Sequence, residues 1–111
     1  MFETINSFEE LLKLKEKEAA LLVYFSTEAC NVCKVLKPKV GELIETGFPK
    51  IKAVYVQTDK IPEAAAQNQV FAVPTILVFF EGREYIRKSR NIGIGELQQE
   101  IDRPYSMFFA E

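Results

Sequence analysis

A chain of 111 residues, 48% hydrophobic and 27% charged, has the size and composition of one domain with a single core. Its formal charge of −2 is dispersed, with no basic stripe to track phosphates, and no apolar run is long enough to span a bilayer, so neither nucleic-acid nor membrane binding is expected. Met1 to Ser7 has neither a basic n-region nor an apolar h-region, so no secretion signal is read and the cytoplasm is the expected compartment.

A short strand is expected at Phe2 to Ile5. Ser7 and Glu10 fit a capping box, and Phe8, Leu11 and Leu12 mark the buried face of a helix ending near Lys17. Ala20 to Ser26 is almost wholly apolar and suits a central strand covered on both faces. From Val32 to Ile44 the apolar residues recur at helical spacing; Pro38 lies within that stripe and is expected to kink it. Gly47 and Pro49 form a stop signal. Ile51 to Gln57 reads as a second core strand, and Pro62 opens a short helix. Thr75 to Phe80 and Arg83 to Lys88 form a hairpin about the turn Glu81-Gly82. A last helix covers Gly93 to Asp102, with Pro104 expected to end it, and residues 103–111 form an aromatic tail. The tail is expected to pack back on its own domain, contact with another chain being the alternative. The order βαβαβαββα describes a single α/β domain over residues 1–111, a central mixed sheet flanked by helices.

The only two cysteines, Cys30 and Cys33, flank Asn31-Val32 at the junction between the central strand and the second helix. A helix N-terminus carries partial positive charge and unpaired N–H groups, both of which stabilise a thiolate. The i, i+3 spacing brings the second sulfur beside the first. Two other readings are open. One makes the pair inert small hydrophobes, although inert cysteines are normally buried away from such a junction. Zinc needs four ligands; with two thiols and no histidine, only a site shared across a dimer supplies them, so no metal is expected.

The element order, the CxxC after the second strand, the Pro38-bearing helix and Val73-Pro74-Thr75 at the start of the fourth strand together resemble the thioredoxin family over roughly Met1 to Arg103. The resemblance implies a thioredoxin fold and a cis bond before Pro74. It also implies a thiol–disulfide oxidoreductase that reduces protein disulfides, with Cys30 as nucleophile and Cys33 as resolving thiol. Substrate is expected against Asn31, Val32, Val73, Pro74 and Thr75, the Val73 backbone pairing with an extended segment. The redox-active cysteine pair needs no further cofactor. The implied partners are protein disulfide substrates and a recycling reductase, and the chain is read as a monomer.

Several positions depart from the family pattern. Ala29-Cys30-Asn31-Val32-Cys33 stands where thioredoxins have Trp-Cys-Gly-Pro-Cys, and the chain has no tryptophan. Tyr24 matches the family's buried acidic residue and Tyr55 its partner lysine. A phenol titrating at about 10 is a weak base at neutral pH, so both tyrosines are read as core filling. The family's glycine before the last helix falls near Arg90, unless the loop shifts to use Gly93; an arginine there narrows or charges the groove. These departures support a second reading, a thioredoxin-fold adaptor or redox sensor with little turnover.

Overall fold

The run Ala20–Ser26 is buried along its whole length and forms β2, the middle strand of a five-stranded sheet. The computed structural model describes residues 2–109. In chain order the elements are β1 (Glu3–Thr4), α1 (Phe8–Lys17), β2, α2 (Asn31–Gly47), β3 (Lys52–Gln57), α3 (Pro62–Gln67), β4 (Thr75–Phe80), β5 (Arg83–Ser89) and α4 (Ile94–Phe109). The sheet runs β1-β3-β2-β4-β5. β3 is parallel to both β1 and β2, while β4 is antiparallel to β2 and β5. This is the expected order and a thioredoxin fold.

The period-two alternation of a strand divides the apolar residues of β2 between two cores. Leu21, Val23 and Phe25 face the layer that contains Leu11 of α1 and Ala64 of α3. Leu22 and Tyr24 face the layer of α2 and α4, with Leu36, Val40, Leu97 and Ile101. Because both faces are covered, β2 carries no polar alternation, and its C-terminal end delivers the chain directly to the start of α2.

The local signals account for most element ends. Ser7 caps α1, its Oγ accepting the Glu10 N–H at 3.1 Å. The Glu10 carboxylate reaches back to the N–H of Asn6, one residue before the cap, at 2.9 Å. Glu81 (φ 53°) and Gly82 (φ 78°) are both left-handed, as a two-residue hairpin turn of matching twist requires. α2 begins at Asn31 and runs through Pro38 to Gly47, with Phe48 rather than Gly47 at the C-cap.

The last helix departs from expectation. Pro104 does not end α4, which continues to Phe109. Proline costs the helix one backbone donor there, but the extra turns gain tertiary packing. The ring of Tyr105 meets Phe48 edge-on with centroids 5.0 Å apart, and Phe108 stacks on Phe80 at 5.2 Å. Residues 103–109 of the expected tail are thus helix packed on its own domain; Ala110 and Glu111 lie outside the described residues.

Candidate active site

Cys30 is the N-cap of α2, in extended conformation (φ −83°, ψ 103°), and its sulfur accepts the backbone N–H of Cys33 at 3.2 Å. Its carbonyl accepts the N–H of Lys34 at 3.2 Å, the first bond of the helical ladder. The sequence therefore puts a sulfur where capping chemistry normally puts an oxygen, at the positive end of a 17-residue helix. Cys33, one turn on, is 1% exposed, whereas Cys30 is half-buried. The two are joined as a disulfide with Cα atoms 5.2 Å apart. One sulfur is accessible and the other is shielded behind it. Glu28, the carboxylate nearest in sequence to Cys30, is held by Gln57 Nε2 at 3.1 Å and Lys60 Nζ at 3.6 Å. These partners hold its carboxyl below the usual range, the Gln57 hydrogen bond contributing most.

Beneath the pair lies Tyr24, fully buried. Its hydroxyl donates to the carbonyl of Cys33 at 2.7 Å. Burial, reinforced by neighbouring Tyr55, pushes its pKa well above the ordinary phenol value. Tyr24 therefore does more than fill volume: it ties the centre of β2 to the first turn of α2 at the inner cysteine. Tyr55 stacks beside it at 6.2 Å, and Lys37 of α2 lays its ammonium 3.7 Å from the Tyr55 ring centroid. Where the family pattern has a buried acid and a lysine on adjacent strands, this chain has two phenols and takes its cation from the helix.

The second wall of the site is the segment between α3 and β4. Gln69 is left-handed (φ 55°), and the guanidinium of Arg87 donates to the carbonyls of Asn68 (2.8 Å) and Gln69 (3.1 Å). Glu84 holds that guanidinium in turn through two 2.8 Å bonds. The braced segment then presents Phe71, 87% exposed, before reaching Val73-Pro74, whose peptide bond is cis. Val73 is half-buried and packs against the same core layer as Cys30. Thr75 is buried; its hydroxyl bonds the Ala72 carbonyl at 2.6 Å and Ser89 Oγ at 3.1 Å. It fixes the loop from behind rather than facing the dithiol.

The third wall is the turn after β5. Arg90 is left-handed (φ 63°), and its N–H donates to the Pro74 carbonyl at 2.8 Å, joining this turn to the cis-proline loop. No positive φ occurs at Gly93. Arg90, not Gly93, thus holds the left-handed conformation in this turn. An open groove of about 620 Å³ runs between this turn and α2, lined by Asn31, Val32, Val35, Leu36, Lys39 and residues 90–93.

The site residues expected from sequence therefore fall into two groups. Asn31 and Val32 line the groove, and Pro74 is tied to its rim through Arg90; Thr75 is set back as a brace. Phe71, Arg87 and Lys37 join the site without belonging to any of its sequence motifs. An aromatic three residues ahead of a proline, in a chain lacking the tryptophan of its motif, was a readable signal for Phe71. Arg87 and Lys37 act through three-dimensional contacts that carry no local signature.

Among the described residues, no helix is long and apolar enough to cross a membrane.

The thioredoxin family model matches residues 2–103. The thioredoxin-like protein YdfQ of Bacillus subtilis (strain 168) is 32% identical over 89 residues, covering 80% of this chain and 79% of that protein. Thioredoxin Y2, chloroplastic, of Arabidopsis thaliana is 31% identical over 100 residues; the match covers 90% of this chain but only 59% of that longer protein. The X-ray structure of Fasciola hepatica thioredoxin superposes with a TM-score of 0.82 at 28% identity, covering 92% of this chain and 98% of that one.

Proposed function

Because this chain belongs to the thioredoxin family and carries its cysteine pair as a thiol–disulfide oxidoreductase, we propose that it runs in the reducing direction on protein disulfides. In the reduced protein the Cys30 thiolate attacks one sulfur of a substrate disulfide. A Cys30–substrate mixed disulfide forms and the other substrate sulfur leaves as a thiolate. Cys33, as thiolate, then attacks the Cys30 sulfur, releasing the second substrate thiol and closing the Cys30–Cys33 disulfide. Two electrons pass to the substrate, and two protons complete its thiols. No cofactor takes part, since the cysteine pair itself stores the electrons. A reductase or thiol pool must then restore the dithiol, which suits the reducing conditions of the cytoplasm.

The observation that carries this reading is the unequal placement of the two sulfurs, an accessible one capping a helix and a buried one within bonding reach. In it, Asn31, Val32 and the Val73-Pro74 backbone flank the incoming disulfide, with Thr75 holding the loop behind them.

Two variants test the roles. Cys30→Ser is expected to abolish turnover of a model protein disulfide. Cys33→Ser is expected to stall at the mixed disulfide, visible by mass as a covalent adduct that added dithiol releases. The buried phenol below Cys33, which cannot serve as a base at neutral pH, favours a second reading, an adaptor with slow exchange. Wild-type protein that turns over no substrate, with a Cys30→Ser variant retaining every partner, would establish that reading instead.

A further inference from the structure

The groove beside the dithiol combines exposed apolar side chains with two cations. Its floor is apolar, with Val32 and Val35 both 62% exposed and Ile92 beside them. Its charged lining residues are Lys39 and Arg90, and no carboxylate lines it. Among the described residues neither cation meets an acidic group at ion-pair distance, so no carboxylate of this chain neutralises the groove. This local positive charge stands in a chain of net charge −2. Glu28, the one carboxylate close in sequence to Cys30, is drawn off toward Gln57 and Lys60.

The backbone at Arg90 supplies an independent argument. At φ 63° a side chain is a conformational cost that glycine avoids. The structural task at this position, donating an N–H to the Pro74 carbonyl, needs no side chain. An arginine held there against backbone preference points to work done by its guanidinium.

We propose that this groove selects protein disulfides whose reactive cysteine is flanked by an extended segment with an apolar residue followed by an aspartate or glutamate. The apolar side chain lies on Val32, Val35 and Ile92, and the carboxylate meets Arg90 and Lys39. This names the substrate class of the reductant described above and rests on that reading.

The test uses the full reduced chain and peptides whose single cysteine is disulfide-bonded to thionitrobenzoate, so that attack on the peptide sulfur releases a coloured thiolate. Three peptides differ only in the charged position, as Leu-Glu, Leu-Gln or Leu-Lys. At low ionic strength the acidic peptide is expected to react about fivefold faster than the neutral one, and the basic peptide more slowly than either. The preference should shrink in high salt. Arg90→Gly, which glycine's backbone freedom makes structurally safe, should bring the acidic-to-neutral ratio close to one, while Arg90→Lys keeps part of it. Equal rates for acidic and neutral peptides in the wild type, or a ratio unchanged in Arg90→Gly, would overturn the inference and leave the reductant reading intact. If even the neutral peptide fails to exchange, the reductant reading falls and this inference falls with it.

Discussion

At Tyr24 a single hydroxyl separates this site from one built around a buried acid. Its proton is committed to the Cys33 carbonyl, and burial keeps it there. Cys33 must therefore release its own proton to solvent during resolution, so that step should quicken steadily as pH rises toward the thiol range, with no inflection from a buried carboxyl. The same residue sets an alkaline limit on stability. The folded pKa of Tyr24 lies above the unfolded value of about 10, so the folded state holds a proton that the unfolded chain loses. Stability is accordingly complete below about pH 10 and falls as pH rises through the folded value. Tyr24→Phe should cost about 1 kcal/mol at neutral pH through the lost hydrogen bond, yet flatten the alkaline decline. Thermal unfolding at about pH 7 and about pH 11 checks both halves; equal alkaline decline in the two proteins would place the titrating group elsewhere.

Among the elements, α4 shows where sequence reasoning stops. The strands were legible because each is a short apolar run between turn residues, and α1 because its cap is written in Ser7 and Glu10. Pro104 is an equally clear local signal, but it is outweighed by contacts far along the chain. Tyr105 packs on Phe48 and accepts the Lys50 N–H at 3.2 Å, while Phe108 stacks on Phe80 and meets Tyr85 edge-on at 5.5 Å. No window around Pro104 contains those partners. If the final turns are structural, truncation after Arg103 should cost about 2–4 kcal/mol, since each aromatic pair contributes about 0.5–1.5 kcal/mol beyond the apolar area it buries. Denaturant unfolding measures this directly. A truncated chain as stable as the full one would mean that the aromatic turns serve another surface. The dithiol lies at the N-terminal end of α2 and the cis-proline just before β4, whereas Phe48 and Phe80 lie at the far ends of those elements, so truncation should leave the thiol chemistry of the surviving folded protein unchanged.

For the molecule as a whole, the cysteine pair and the cis-proline segment were legible because a motif states them, whereas the walls around them were not. Tyr24 reads as core in the sequence and proves to be a clamp; Arg90 and Gly93 could be told apart only by backbone conformation. The direction of electron flow depends on the balance of these parts. The helix terminus and the Cys33 N–H on the Cys30 sulfur stabilise a thiolate, and with it the reduced form, which raises the potential. The i, i+3 placement on one helix, with Cys33 fixed in the packed core, holds the two sulfurs together in the reduced protein, which favours closure of the disulfide and works the other way. With the two opposed, the pair should stay near the thioredoxin value of about −270 mV. Equilibration in graded dithiol and glutathione buffers, with free thiols alkylated and counted by mass, gives the number. A value above about −200 mV, a difference of about 3 kcal/mol, would make the protein an oxidant or isomerase of its substrates. A pair that never equilibrates would remove the exchange role and leave the adaptor, because a reductant must cycle between dithiol and disulfide.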